Sequence, residues 1–165
     1  MVVLVDDVVT VAYGQMYVDS RTLADRDGDP WPFVGQRNGL CGAAEPGYLF
    51  LKTATHTGDV PLTVERHDED PPLAAFWEDV VEVSFRPATA ETRLLQWDGS
   101  RSWRLELELR DYRARYCAYG WDFAEGDDDE DSEEQYLLQF WPAPPAEDRL
   151  VRQESRGGEH LAARH

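Results

Sequence analysis

The chain has very little lysine, and its charge is strongly one-sided, which excludes several classes of partner. Lys52 is the single lysine among 16 basic residues, which face 33 acidic ones, and the formal net charge is -17 over 165 residues. A chain of this charge repels nucleic acid and anionic lipid. We therefore expect no direct nucleic-acid binding and no membrane association, and we expect a basic protein surface as the partner.

Export signals and disulfide frameworks are also missing. The opening segment, MVVLVDDVVTV, contains aspartates and no basic residue, which is not the pattern of a secretory signal or a membrane anchor. We therefore expect a cytoplasmic location, in which Cys41 and Cys117 stay reduced. Two cysteines do not make a disulfide framework in a chain of this length, so both are interpreted as buried structural residues.

Motifs for catalysis and cofactors are absent as well. The chain has no glycine-rich phosphate loop and no Gly-x-Ser-x-Gly elbow, and His56, His67, His160 and His165 lack the spacing of a metal site. Cys41 would pair with His56 or His67 only if the fold brought them together. We expect a protein that is not an enzyme and that has no cofactor.

What the sequence does contain is strand patterning. Helical periodicity is almost absent, whereas short apolar blocks and period-two runs recur between Gly, Pro and Asp residues. An Asp98-Gly99 turn followed by alternating residues predicts one hairpin. The pattern predicts an all-β fold, an antiparallel β-sandwich of about eight strands. The candidate strands are residues 8–13 with a continuation at 15–18, 48–53, 62–67, 80–86, 93–97, 103–109, 112–123 and 136–141.

The domain prediction follows from where the strands lie. Residues 1–142 are predicted to form one acidic β-sandwich domain, and residues 143–165, which have little to bury, a polar and flexible C-terminal tail. A long irregular loop, DSRTLADRDGDPWPFVGQRNGLCGAAEPG, follows the first strand and its continuation. Loops of this length tend to be functional or disordered.

This long loop supplies the predicted partner-binding anchors. Trp31 lies between two prolines and is expected to be exposed or to clamp the loop. Gln36, Arg37 and Asn38 follow in the GQRNG turn, and aromatic and arginine side chains are the usual anchors of protein interfaces. Trp97 and Trp103 are interpreted as core or cross-strand residues that flank the hairpin.

A run of carboxylates in GDDDEDSEEQ is the second candidate for partner binding. It is open to two interpretations, a solvated loop between two strands or an electrostatic contact with a cationic partner. The candidate residues are Asp127, Asp128, Asp129, Glu130 and Asp131.

A cation site is conceivable in DRDGDP, where Asp25, Asp27 and Asp29 alternate around Gly28. Carboxylate oxygens suit calcium, but the spacing does not match the twelve-residue calcium loop and no closing glutamate follows. An Asp-Gly turn in a solvated loop is the favoured interpretation, so we predict no metal site. A calcium-dependent or carbohydrate-binding β-sandwich, using this loop or exposed tryptophans, is the alternative function.

Four segments resemble the competence protein J (ComJ) family. They are the opening strand VTVAYGQMYV, the GQRNG loop followed by GYLFLKT, the strand VVEVSF and the closing YLLQFWPAP. The pattern is also similar to uncharacterised small proteins of GC-rich bacteria. The resemblance implies a small cytoplasmic β-sandwich that acts as a nuclease inhibitor. Together with the charge, it predicts a non-catalytic protein-binding module, an acidic inhibitor or immunity-type protein that masks a basic partner such as a nuclease.

Overall fold

The computed structural model describes residues 1–26, 28, 31–124 and 133–162. These residues form an almost entirely β structure with two short α-helices and one 3-10 helix, which confirms the all-β prediction. In chain order the elements are β1 (Val2–Val11), β2 (Gln15–Asp19), the 3-10 helix (Ala24–Arg26), β3 (Cys41–Gly42), β4 (Tyr48–Lys52), β5 (Gly58–Arg66), β6 (Asp79–Phe85), β7 (Thr92–Leu95), β8 (Ser102–Leu105), β9 (Tyr112–Tyr119), α1 (Trp121–Ala124), β10 (Gln135–Pro142), β11 (Arg149–Gln153) and α2 (Arg156–Ala162).

The strands of the described part of the chain form two sheets that enclose one apolar core. The six-stranded sheet has the order β1-β5-β10-β9-β6-β11, and the five-stranded sheet has the order β3-β4-β2-β7-β8. Val64 and Leu138 of the first sheet and Met16, Leu49 and Leu94 of the second are all fully buried in a shared cluster. Side chains that alternate along each strand therefore meet between the sheets, as in a β-sandwich.

Three details of the strand prediction differ from the structure. All predicted strands occur, but β1 and β2 are separate strands, and the short β3 and the polar β11 were not anticipated. The six-stranded sheet is also mixed, because β10 pairs with β5 in parallel, with Tyr136 opposite Leu62. A parallel pair requires a long crossover connection. Here strands β6 to β9 lie in the sequence between β5 and β10.

The C-terminal segment is not the extended tail that composition predicts. β11 pairs with the edge of β6, with Arg149 opposite Glu82 and Gln153 opposite Asp79, and α2 contacts α1. The expectation of a flexible tail is therefore wrong for residues 149–162. Side-chain patterning does not predict this strand, because strand pairing uses backbone hydrogen bonds, for which any residue except proline provides both a donor and an acceptor.

The outer face of the six-stranded sheet is covered around β9 by the segment of Asp70 and Pro71. Arg115 is buried there, with its guanidinium donating to Glu82 at 3.0 Å, to Asp70 at 2.8 Å and to the carbonyl oxygen of Pro71 at 2.8 Å. The same guanidinium lies 4.8 Å from the ring of Trp141. On the outer face of the five-stranded sheet, Tyr17 of β2 and Phe50 of β4 are half-buried.

Helices long and apolar enough to span a membrane are not found in the part of the chain that the structure describes.

Candidate functional site

Strand alternation places aromatic side chains on the outer face of the five-stranded sheet. In β4, Leu49 and Leu51 are buried in the core, so the side chains of Tyr48, Phe50 and Lys52 lie on the opposite face, where they are half-buried. In the neighbouring strand, Tyr17 lies directly opposite Phe50 and shares its face. The two strands thus present a row of rings on the outside of the sandwich.

The long loop adds two more rings to this row. Trp31 contacts Phe33 with ring centroids 5.4 Å apart, Phe33 contacts Phe50 at 5.7 Å, and Phe50 contacts Tyr17 at 5.5 Å. Tyr17 in turn stacks on Tyr48 at 5.9 Å. We call these five side chains the aromatic face. Trp31 is 52% exposed whereas Phe33 is 1% exposed, so Trp31 is the ring of the loop that solvent reaches.

Cationic side chains lie over these rings. The Arg21 guanidinium is 4.1 Å from the ring centroid of Tyr48, and Lys52 Nζ is 4.9 Å from that of Phe33. Arg21 also forms a 3.0 Å ion pair with Asp19, which fixes the guanidinium over the ring. Aromatic rings and arginine are enriched at protein interfaces, whereas aspartate and glutamate are depleted there.

The rim of the aromatic face is charged but mostly paired. Arg93 lies directly opposite Asp19 in β2 and Arg104 in β8, and both arginines reach Glu91, at 3.7 and 3.8 Å. Burial raises the pKa of Tyr17, so its hydroxyl stays protonated at neutral pH and donates to Gln15 Oε1 at 2.7 Å. In the part of the chain that the structure describes, the carboxylates of Asp19 and Glu91 at this rim are thus paired with arginines.

Two of the predicted anchor residues hold the loop together. The Gln36 side chain donates to the carbonyl oxygen of Cys41 at 2.8 Å and accepts from the backbone nitrogen of Ala43 at 2.6 Å. Asn38 is fully buried, accepts from the backbone nitrogen of Cys41 at 2.8 Å and donates to Asp148 Oδ2 at 3.0 Å. Their role in partner binding stays a prediction, and the contacts assign both a positioning role.

Arg37 differs from its two neighbours because it is exposed. Its backbone nitrogen donates to Asp148 Oδ2 at 2.8 Å, which ties the turn to the segment before β11. The turn borders a cleft of about 300 Å³ that Ser84 and residues 146–148 line on the other side. The turn thus presents Arg37 at the mouth of a small polar cleft.

The acidic candidates fall largely outside the described residues. That holds for Asp127, Asp128, Asp129, Glu130 and Asp131, and for Asp27 and Asp29 of the candidate cation loop. Asp25 is described, and its carboxylate accepts from the Thr22 hydroxyl at 2.7 Å. Within the described ranges, no group of three or more His, Cys, Asp or Glu residues is placed to hold a metal ion.

The sequence interpretation missed most of the aromatic face. In β4, Tyr48 and Phe50 alternate with Leu49 and Leu51, so both sides of this strand are apolar over these four residues and their periodicity alone does not tell which side is outside. Trp97 was interpreted as a core or cross-strand residue, but its side chain is 42% exposed. Lys52, the single lysine of the chain, identifies the outer face. It alternates with Leu49 and Leu51, so the side of β4 that carries Lys52 faces solvent.

Both cysteines are buried and free, as expected. Burial raises the pKa of Cys117 to about 12 and that of Cys41 further, so neither thiol is a reactive thiolate at neutral pH.

Known proteins provide a match in fold but not in sequence. No protein-family model matches the chain, and no curated protein matches it either. Among solved structures, it is similar to ComJ from Bacillus subtilis, an inhibitor of the DNA degrading activity of NucA, with a TM-score of 0.57 and 12% identity over 86% of this chain and 98% of that one. It is also similar to crocagin biosynthetic gene J, with a TM-score of 0.51 and 11% identity over 85% and 99% of the two chains. The predicted resemblance to ComJ is therefore confirmed at the level of the fold.

Proposed function

We propose that this protein is a non-catalytic protein-binding module that masks a basic partner, and that a nuclease is the partner class. The observation that carries the proposal is the aromatic face, on which an exposed tryptophan and two tyrosines lie beside paired arginines. The fold supports it, because ComJ, which has a similar fold, inhibits the DNA degrading activity of a nuclease.

The charge of the chain supports a basic partner. A net charge of -17 attracts a cationic surface over distances longer than a contact, while the rings of the aromatic face provide anchoring area after encounter. The protein would then compete with DNA for the same basic surface of a nuclease. The buried, free thiols of Cys41 and Cys117 fit the reducing cytoplasm, which is where we place the protein.

The test begins with capture of bound proteins from a native lysate on the immobilised full-length chain, followed by their identification. We expect a basic nuclease whose DNA degradation falls in proportion to the added chain. Trp31→Ala should weaken this complex by roughly thirtyfold, since an exposed ring at the centre of an interface contributes about 2 kcal/mol.

Phe76→Ala is the matched control, because Phe76 is a similarly exposed ring, 47% accessible, in the segment between β5 and β6, where it stacks on Tyr119. This variant should bind like the parent. If Phe76→Ala loses binding while Trp31→Ala keeps it, the aromatic face is not the interface. If DNA degradation by every captured protein is unchanged, the inhibitor function is wrong.

The calcium-dependent or carbohydrate-binding alternative predicts different results. Calcium titration followed by tryptophan fluorescence should give a saturable change that Asp25→Ala removes, or a sugar should compete with the protein partner. Neither is expected for a masking protein.

A further inference from the structure

An unusual turn joins β1 to β2. Ala12 and Gln15 form an isolated bridge, and the two residues between them both have positive φ, 57° for Tyr13 and 62° for Gly14. This pattern matches the type I′ turn of tight hairpins, whose first central position normally holds Asn, Asp or Gly. A bulky tyrosine in the left-handed region is an outlier that costs free energy.

Burial of the ring does not account for this strain, because the Tyr13 side chain is 62% exposed. Instead the turn places its ring between two other accessible rings. The ring centroid of Tyr13 lies 5.2 Å from that of His56 and 5.4 Å from that of Trp97, which is itself 42% exposed. Gly14 holds the turn in place, since its nitrogen donates to the carbonyl oxygen of His56 at 2.8 Å. We call the three rings the tip cluster.

The loop of His56 also binds Glu134, one of the residues of the GDDDEDSEEQ segment that the structure describes. Glu134 is buried, and its Oε1 accepts from the backbone nitrogens of Ala54 and Thr55, at 3.1 and 3.0 Å. These residues belong to the same loop as His56. The other carboxylates of the GDDDEDSEEQ segment directly precede Glu134 in the sequence.

Among the described residues, two exposed carboxylates and one paired arginine adjoin the cluster in the chain. Asp98 follows Trp97 directly and is exposed, and Asp59 is exposed at the start of β5. Arg101, a cation of the same hairpin, is held by Asp7 at 2.5 Å and lies over Trp103. The surroundings of the tip cluster thus favour a positive ligand.

We propose that the tip cluster binds an arginine side chain presented by the partner. A guanidinium over the solvent-exposed side of the Trp97 or Tyr13 ring gains the attraction of the ring quadrupole, which is largest for tryptophan, and the field of the neighbouring carboxylates adds to it. The strain at Tyr13 is then part of a preorganised contact. This inference rests on the proposed function, since it names a chemical group of the same basic partner.

The experiment uses the full-length chain and a short oligoarginine peptide as the probe, with binding followed by calorimetry at low and at physiological ionic strength. Tyr13→Asn is the variant, because asparagine suits the left-handed turn and removes only the ring. Its thermal unfolding temperature should equal or exceed that of the parent, and its affinity for the peptide should fall about fivefold. Trp97→Ala should lower the affinity similarly, and Phe76→Ala, which removes an exposed ring outside both the tip cluster and the aromatic face, should leave it unchanged.

Two outcomes overturn the proposal. In the first, the parent chain does not bind oligoarginine. In the second, the Tyr13→Asn and Trp97→Ala variants bind it as tightly as the parent at both ionic strengths. In the second case, the proposed function is intact if the variants still inhibit the captured nuclease. If the parent chain itself does not inhibit the nuclease, the proposed function is contradicted, whatever the tip cluster binds.

Discussion

A single buried carboxylate illustrates how one residue sets the pH dependence of this fold. Asp79 of β6 is fully buried, and its Oδ1 accepts from the backbone nitrogens of Glu154 and Ser155, both at 3.2 Å. Its Oδ2 has no hydrogen-bond partner among the described residues. Burial raises the pKa of Asp79, and the carboxylate of Asp122 raises it further.

The sign of the effect follows from this raised pKa. A carboxyl whose pKa is higher in the folded state stabilises the fold below its unfolded pKa, and the contribution is lost as the pH rises through the folded value. Asp79→Asn should therefore increase the free energy of unfolding at neutral pH, by about 1 kcal/mol, because an amide removes the buried charge and keeps the acceptor. Urea denaturation at neutral and acidic pH measures this, and the gain should shrink as the pH falls.

Asp6→Asn is the control, since Asp6 is an exposed carboxylate of β1. It should change the unfolding free energy little at either pH. A stability loss for Asp79→Asn that is the same at both pH values would mean that the carboxylate is needed for its hydrogen bonds, and that its charge has no net cost.

At the scale of elements, side-chain periodicity decides which strands can be predicted from the sequence. β6, with alternating Val81, Val83 and Phe85, was predicted because one of its faces is apolar, and all three side chains are buried. Glu82 lies on the other face and is also buried, where Arg113 and Arg115 pair with it at 3.6 and 3.0 Å. Periodicity does not report such burial, nor the parallel pairing of β10, because both depend on where distant segments return.

The candidate site shows the same limit. The exposure of Trp31 was expected from its neighbouring prolines, and it is exposed. Its ring contacts Phe33 of the same loop, and Phe33 contacts Phe50 of β4. The extension of this row to β2 requires the register in which Tyr17 lies opposite Phe50. That register is a property of the assembled sheet, which no local pattern in a single strand contains.

Docking of α2 provides a prediction at this scale. The Asp122 carboxylate accepts from the backbone nitrogens of Arg156 and Gly157, both at 3.0 Å, and joins α2 to α1. A Cβ at Gly157 would lie 1.9 Å from Cδ1 and Nε1 of Trp121, a rigid ring that is buried. Gly157→Ala should therefore destabilise the protein by about 1 to 3 kcal/mol and shift the fluorescence of Trp121 toward that of an exposed indole.

Glu159→Ala is the matched control, because Glu159 is an exposed residue of the same helix. Its unfolding temperature and fluorescence should stay close to those of the parent. Equal stability of Gly157→Ala and Glu159→Ala would show that α2 does not pack on Trp121 in solution.

The whole molecule divides its charge between surfaces of different composition. Arginines accompany the aromatic face, whereas the net charge of -17 requires that carboxylates dominate elsewhere. The run from Asp127 to Asp131 lies between α1 and β10, and the loop of Ala54 and Thr55 holds the Glu134 that follows it. An arrangement of this kind separates steering, which depends on the summed field, from anchoring, which depends on contacts.

The acidic run itself supplies the last prediction. Replacing residues 127–131 with Gly and Ser should leave the unfolding temperature unchanged or slightly higher, because repulsion between like charges is removed. If the partner is a basic nuclease, association should slow by roughly tenfold at low ionic strength, and dissociation should change much less. Added salt should shrink the difference, since the screening length falls to about 8 Å at physiological ionic strength.

A variant that neutralises the exposed Asp68, Glu69 and Glu106 instead tests whether the position of the carboxylates matters, and it should slow association less. Stopped-flow measurement of association across salt concentrations decides between the two interpretations of the run, because equal rates for the parent and the Gly/Ser variant at every salt concentration would identify it as a solvated connection only.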